Sequence, residues 1–143
     1  ALIGARLKDS KAVENSLVNL MNHGIYYDSL LTNHDYDRNS CYCTDFAIGY
    51  LGIINESLIY SYNEKIELLP AIPESFEVGE ICGLRTRNHC VIDSLKWDMN
   101  TSTVTATIHS EIAQTLTVSC RLSDNIKEIE FKENETKTVE FKI

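Results

Sequence analysis

The 143-residue sequence is short of basic residues, of long apolar runs and of internal repeats. It has 13 Lys and Arg against 21 Asp and Glu, a formal net charge of -8, whereas a nucleic-acid surface needs clustered cations. No apolar run reaches the roughly 18 to 20 residues that a membrane-spanning helix requires. The charged share of 24% is ordinary and argues against disorder. We therefore expect a folded chain with no nucleic-acid and no membrane partner.

The sequence also lacks a regular cysteine framework. Its five cysteines are Cys41, Cys43, Cys82, Cys90 and Cys120. An odd count without paired spacing is typical of reduced thiols rather than of a disulfide scaffold, and it favours the cytoplasm. The sequence opens at Ala1 inside a helical pattern, so we expect the true N-terminus to lie upstream and give the missing signal peptide little weight.

The first part of the sequence has helical periodicity. Residues 1–8 resemble the end of a helix, Asp9 or Ser10 can cap the next helix, and Gly24 is suited to end it. The apolar positions of that helix are Val13, Leu17, Leu20 and Met21. Residues 25–44 form a long polar connection, which in a compact domain is usually functional or poorly ordered.

A second helix begins around Thr44 or Asp45. Its stripe consists of Ile48, Leu51, Asn55, Leu58, Ile59 and Tyr62, and Ile53 and Ile54 broaden it. One partner helix cannot cover so much apolar surface, and large exposed apolar patches drive association. We therefore expect further N-terminal sequence to pack against this helix in the complete protein. In its absence we predict that the chain pairs through its helical half, as a homodimer.

From Lys65 the apolar period changes to that of β-strands. Alternation and β-branched residues predict strands at 66–69, 91–98, 103–109, 116–122, 127–132 and 138–143. Polar residues on the alternate positions are typical of antiparallel strands with one solvated face. The order of helices and then strands predicts an α+β fold, with residues 1–64 as N-terminal helices and 65–143 as an antiparallel, sandwich-like β-domain.

Asp45 is the strongest candidate for chemistry, because it lies where a long loop enters a helix and side chains there can face a cleft. The simpler interpretation is a helix N-cap, whose carboxylate accepts backbone N–H bonds and suits the positive end of the helix dipole. From position alone we favour the cap.

The other candidates have simpler interpretations. Asp35, Asp37 and Asn39 open a calcium-loop spacing that then fails, and His34 with Cys41 and Cys43 lacks a second zinc-like ligand pair. We predict no metal and no cofactor. Aromatic faces can stack on sugars, so Trp97 and the seven tyrosines are candidates, although most are expected in the core. Asn55 is interpreted as a satisfied core amide, and His89 and His109 as surface or pairing residues.

The order of motifs resembles the C-terminal portion of the inverting α-L-fucosidases, glycoside hydrolase family ninety-five, over roughly residues 1 to 100. The family's A-R-L-x-D-G, F-Q-I-D-G-N-F-G, E-x-L-L-Q-S, I-x-L-L-P-A-L-P and W-x-x-G-x-V-x-G-L-R-A-R patterns occur here in the same order, as does a later Trp. Their counterparts are Ala5–Asp9, Tyr42–Gly49, Glu56–Ser61, Ile66–Pro73 and Phe76–Arg87. The combination of L-L-P-A-I-P with G-L-R-T-R is specific.

The resemblance implies a large enzyme in which this chain supplies the last helices of an (α/α)6 barrel and a C-terminal β-domain. It also implies that Asp45 is the general base, that the general acid is a Glu outside this chain, and that the substrate is terminal fucose or a related sugar. Three neighbours of Asp45 depart from the family pattern, at Cys43, Phe46 and Ala47. Two hypotheses follow: part of a glycosidase that is inactive alone, or a non-catalytic carbohydrate-binding or structural module.

Overall fold

A computed structural model describes residues 1–23, 32–33 and 42–143. The chain forms two compact units: residues 1–57 with 71–74, called here the helical unit, and residues 58–70 with 75–143, called the β unit. None of the helices in these residues is long and apolar enough to cross a membrane. Gly24, with its predicted helix stop, lies outside the described residues.

Within its described residues the helical unit has helices α1 (Leu2–Leu7), α2 (Ser10–Asn22) and α3 (Thr44–Leu58). The predicted cap of α2 is confirmed for Asp9, whose side chain accepts the Ala12 N–H over 2.9 Å. Among the residues of this unit that the structure describes, Ala5, Val13, Leu17 and Ala71 form a buried cluster, with Tyr50, Ile53 and Ile54 packed against it. Met21, at the end of the predicted α2 stripe, is 58% exposed.

The prediction that the apolar stripe of α3 continues to Ile59 and Tyr62 is wrong. The helix ends at Leu58, and Ile59–Tyr62 forms strand β1 paired with Lys65–Leu68. A short run of apolar and aromatic residues fits either period, and pairing with the neighbouring strand decides between them. Asn55 is exposed rather than a core amide. The predicted domain division at 64/65 stays a prediction.

The β unit contains nine strands, and its fold confirms the predicted α+β class with a sandwich-like β-domain. They are β1 (Ile59–Tyr62), β2 (Lys65–Leu68), β3 (Val78–Ile81), β4 (Leu84–Arg85), β5 (Cys90–Asp98), β6 (Thr103–Ser110), β7 (Gln114–Cys120), β8 (Ile126–Phe131) and β9 (Glu135–Lys142). One sheet has the order β1-β2-β7-β8, and the other has the order β3-β5-β6-β9 with β4 also on β5. Pairing is antiparallel except between β2 and β7.

The core of the β unit comes from residues that alternate along these strands. On β6 the even positions Val104, Ala106 and Ile108 are fully buried, whereas the threonines between them are half-buried. Leu116 and Val118 of β7 are buried in the same way, as is Phe141 of β9. This period-2 pattern is what the sequence predicts for strands with one solvated face.

Candidate active site

Asp45 lies in the first turn of α3 and its side chain is exposed. Because the helix begins at Thr44, Asp45 is the second helical residue, and Cys43 occupies the position just before the helix. The interpretation of Asp45 as the N-cap is therefore wrong in position, although a carboxylate in the first turn still suits the helix dipole. An exposed acid at this place can reach a ligand in solution, and its role as a base stays a prediction.

The start of α3 is fixed by a short contact with residues far back in the sequence. Asn33 and Tyr42 form an antiparallel bridge. Beside it, the Cys43 N–H donates to the Thr32 carbonyl over 2.8 Å, and the Thr32 hydroxyl donates to the Cys43 carbonyl. Thr32 is fully buried. Sequence reasoning missed Thr32, since nothing in its immediate neighbours predicts a partner that lies eleven residues away.

The residues around Asp45 are less hydrogen-bonding than those of the family pattern that the sequence resembles, and Phe46 is also bulkier. Phe46 is half-buried, and its ring centroid lies 6.4 Å from that of Tyr50, one helical turn further on. Ala47 and Cys43 are also half-buried. The aromatic pair stabilises the first two turns of α3, so the change at Phe46 has a packing role as well as an effect on the surroundings of the acid.

The motif pair Ala5–Asp9 and Glu56–Ser61 is joined by a two-pronged ion pair. Arg6 Nη2 donates to Glu56 Oε1 over 2.8 Å, and Arg6 Nε lies 2.7 Å from Glu56 Oε2. The first contact is a charge-assisted hydrogen bond and the second is an ion-pair contact, and together they bring the two side chains face to face. The link connects α1 to α3, fifty residues apart in sequence. In this structure Arg6 and Glu56 therefore act as a brace within the helical unit.

The Gly and Trp of the β-domain signature form one packing unit. Gly79 and Trp97 are opposite each other in the β3–β5 register, and a Cβ on Gly79 would lie 2.2 Å from the indole ring. The indole N–H donates to the Phe76 carbonyl over 2.8 Å, and Trp97 is only 6% exposed. Trp97 is thus a core residue, the position that the sequence analysis expects for most of the aromatic side chains.

The G-L-R-T-R segment is held by a buried polar network. Thr86 Oγ1 donates to the Cys90 carbonyl at 3.0 Å and accepts the Cys90 N–H at 3.1 Å. Gln114 Nε2 donates to the Asn88 carbonyl and to Ser110 Oγ, both at 2.8 Å. Buried groups satisfied in this way rigidify a fold. Burial raises the pKa of the Cys90 thiol within this network, so that thiol stays protonated.

Both arginines of the segment also have partners. The Arg87 backbone N–H donates to Ser61 Oγ over 2.9 Å, and its guanidinium donates to the Ser61 carbonyl over 3.3 Å. Arg85 lies 3.2 Å from Glu111, with the Arg85 side chain largely in solvent and that of Glu111 half-buried. The contacts of Arg87 connect the turn after β4 to β1, so Arg87 has a structural role in the β unit.

A shallow groove of about 430 Å³ lies over β3, β5 and β6. Glu80 on its edge lies 3.1 Å from Lys96, and Ser94 Oγ donates to the same carboxylate over 3.1 Å. The hydrogen bond from Lys96, followed by that from Ser94, lowers the pKa of Glu80. Hydrogen bonds from the backbone of Thr101 and Asn100 likewise lower the pKa of Asp98, a second groove residue. Both carboxylates are thus already engaged.

Of the remaining candidate residues, some lie in the part of the chain that the structure describes and the others lie outside it. His109 Nδ1 lies 2.9 Å from Thr136 Oγ1, which agrees with its interpretation as a pairing residue, and His89 is exposed in a turn. No group of metal-binding side chains occurs within residues 1–23, 32–33 and 42–143. Asp35, Asp37, Asn39, His34 and Cys41 lie outside the described residues.

Comparison with protein families identifies the β unit. Residues 60–143 match the model of glycoside hydrolase family 95, C-terminal domain, so the chain belongs to glycoside hydrolase family 95. No curated protein matches the chain in a sequence comparison. The family match confirms the resemblance predicted from the motifs. It covers the β strands from Tyr60 onwards and does not include Asp45.

Proposed function

We propose that this chain is the C-terminal part of a glycosidase that removes terminal α-L-fucose, or a related sugar, with inversion, and that Asp45 is its general base. Family membership supports the reaction class, and the matched model is itself that of a C-terminal domain. The observation that carries the proposal is the exposed position of Asp45 at the start of α3, two residues after a clamped backbone.

Inverting hydrolysis needs two carboxyl groups on opposite sides of the sugar, separated enough to admit a water molecule. One group protonates the leaving oxygen while the other takes a proton from the attacking water. Asp45 supplies the second function in this proposal. The general acid comes from a part of the enzyme outside this chain, so residues 1–143 alone do not turn over substrate.

The test compares the isolated chain with the complete gene product that contains it. Aryl α-L-fucoside and aryl α-L-galactoside are the substrates, and proton NMR follows the anomer that is released first. We expect hydrolysis with inversion by the complete protein and none by the isolated chain. Turnover by the isolated chain, or release of the retained anomer by the complete protein, contradicts the proposal.

A second candidate function is a non-catalytic structural or carbohydrate-binding module. It is favoured by the role of the signature residues, because Arg6, Gly79 and Arg87 all contribute to packing or to internal hydrogen bonds. The changes to Phe46 and Ala47 beside Asp45 favour it too. A complete protein that folds but hydrolyses neither aryl glycoside supports this candidate.

The partner we propose for the isolated chain is a second copy, bound through the helical unit. Large apolar side chains are exposed on each of its helices: Leu2, Ile3, Leu7, Val18, Met21, Ile48 and Leu51. Ile48 is 73% exposed and Leu51 is 65% exposed. Burying such side chains against another copy removes apolar area from water, at about 25 cal/mol per Å².

A further inference from the structure

Thr32 forms hydrogen bonds with both backbone polar groups of Cys43, the residue that precedes α3. Its carbonyl accepts the Cys43 N–H over 2.8 Å, and its hydroxyl donates to the Cys43 carbonyl. Thr32 is 0% exposed, so water does not compete for these bonds. The adjacent bridge between Asn33 and Tyr42 extends the contact by one residue on each side. The backbone before α3 is thereby held from outside the helix.

These hydrogen bonds from Thr32 are important because the residue before α3 is a cysteine. Ser, Thr, Asp and Asn stabilise a helix start by accepting a backbone N–H with a side-chain oxygen, and a thiol is only a weak acceptor. In α2 the capping role is filled by Asp9, which accepts the Ala12 N–H over 2.9 Å. Before α3, the backbone of Cys43 is instead hydrogen-bonded to Thr32.

We propose that Thr32 is a positioning residue for the Asp45 carboxylate, an inference that rests on the proposed role of Asp45 as general base. Asp45 follows Cys43 by two residues, within the first turn, so a shift of the Cys43 backbone moves the carboxylate with it. A misplacement of about 1 Å can cost a reaction about 100-fold in rate. Thr32 does not touch the sugar, and its whole effect on the rate passes through Asp45.

The test uses four variants of the complete enzyme, with an aryl α-L-fucoside as the substrate. Thr32→Val keeps the shape and removes the hydroxyl, Thr32→Ser keeps the hydroxyl, and Thr32→Cys replaces it with a weaker donor. Thr115→Val, at an exposed position of β7, is the matched control. We expect Thr32→Val to lower kcat by about 10- to 100-fold with little change in KM, Thr32→Cys to lower it less, and Thr32→Ser and the control to retain most of it.

A double-mutant cycle separates positioning from general folding. If Thr32 acts only through Asp45, adding Thr32→Val to Asp45→Asn should lower kcat by no more than about twofold further. A change of about twofold is the usual scatter around additive mutational effects. A loss of full size in that background, or a loss that Thr32→Ser fails to rescue, overturns the inference. If Thr32→Val does not fold, the comparison of Thr32→Cys with Thr32→Ser decides, and equal rates for these two variants overturn the inference.

The same measurements keep the two proposals apart. An Asp45→Asn enzyme with a normal rate means that the proposed function is wrong, whatever Thr32 does. An impaired Asp45→Asn enzyme together with a fully active, folded Thr32→Val enzyme leaves Asp45 as the base and overturns the positioning role of Thr32.

Discussion

The β unit and the helical unit differ in how much of their apolar surface they bury. In the β unit, Ile66, Leu68, Ile92, Leu95 and Ile108 are each 0% exposed, and alternating residues of both sheets contribute to the core. Among the described residues of the helical unit the buried cluster is Ala5, Val13, Leu17 and Ala71, while large apolar residues on α1, α2 and α3 remain in solvent. The β unit therefore has a core of its own, and our proposal is that the helical unit pairs with a second copy.

The candidate chemistry lies in the unit with the smaller core. Asp45 and the Thr32 clamp belong to the helical unit, whereas the polar network around Thr86 and the Gly79–Trp97 contact belong to the β unit. Family membership is shown by the β unit, yet that unit uses its signature residues for structure. A family signature thus identifies the domain without identifying the catalytic residues.

The largest expected effect is a difference in kcat between variants of two carboxylates, Asp45 in the helical unit and Glu80 in the β unit. In the complete enzyme we expect Asp45→Asn to lower kcat by about two to four orders of magnitude, the usual contribution of a positioned general base. Stability should fall by no more than about 1 kcal/mol, the usual effect of removing a carboxylate from the first turn of a helix. Steady-state kinetics on the aryl α-L-fucoside measure the loss.

The matched control is Glu80→Gln in the β unit, where the carboxylate is engaged with Lys96 and Ser94. We expect this variant to keep its rate. Equal losses of kcat for Asp45→Asn and Glu80→Gln would contradict the assignment of catalysis to the helical unit alone.

The second prediction concerns glycine. Gly79→Ala in the β unit places a methyl group against the Trp97 ring and should destabilise that unit by about 1 to 3 kcal/mol, as overpacking usually does. Gly52→Ala on the exposed side of α3 meets nothing within 4 Å and should stabilise the helix by up to about 1 kcal/mol. Urea unfolding measures both, because fluorescence of Trp97, the only tryptophan, reports the β unit and circular dichroism reports the helices. Opposite signs are the expected result, and a stabilised Gly79→Ala variant would contradict the packing argument.

The fold was predictable where the sequence alternates clearly. The strands expected at 66–69, 91–98 and 103–109 match β2, β5 and β6 to within one residue at each end. Strands β3 and β4 were missed because they are short, interrupted by Cys82 and Gly83, and defined by their pairing with β5. Their existence depends on a partner strand rather than on a local pattern.

The third prediction concerns the brace of the helical unit. Arg6→Met removes the two-pronged contact with Glu56 and should cost about 1 kcal/mol, a modest value because half of the Arg6 side chain is in solvent. Lys11→Met, at an exposed position of α2, is the control and should change stability by less than about 0.5 kcal/mol. Circular dichroism in urea measures the helices. Equal stability of both variants would show that the contact does not hold α1 to α3.

The smallest expected effect is the pH dependence of the β unit. The pKa values of Glu80, Asp98 and Glu135 are lowered, mainly by hydrogen bonds from Lys96 and from the backbone of Thr101 and Lys132 respectively. Lowered carboxyl pKa values stabilise the folded state above the ordinary values of 3.8 to 4.5, and this stability is lost as the pH falls through the folded values.

Two buried thiols act at the other end of the pH range. Burial raises the pKa of Cys90 and Cys120 above the ordinary value of 9.0, so the unfolded state loses its protons first and stability falls as the pH rises past that value. Trp97 fluorescence during thermal unfolding between pH 3 and pH 10 measures both slopes. A melting temperature that increases from pH 5 to pH 3 would contradict the carboxylate assignments, and Glu80→Gln should make the acid slope shallower.

The candidate site was predictable only in part. Asp45 was singled out because a long loop enters a helix there and because residues 42–49 resemble the family's base motif, and its place near a helix start followed from the apolar period after Thr44. Thr32 and the Arg6–Glu56 contact could not be predicted, since they join residues eleven and fifty positions apart. For Trp97 the sequence left a core position and sugar stacking open, because composition does not reveal that Gly79 leaves room for the indole ring.

Light scattering on the purified chain tests most directly the claim that the helical unit needs a partner and the β unit does not. We predict that residues 1–143 form a dimer or a larger species that grows with concentration, and that Ile48→Lys with Leu51→Lys gives a monomer with an unchanged Trp97 signal. A matched pair in the β unit, Val78→Lys with Ile126→Lys, should leave the association unchanged. A monomer of the unaltered chain at high concentration would contradict the account.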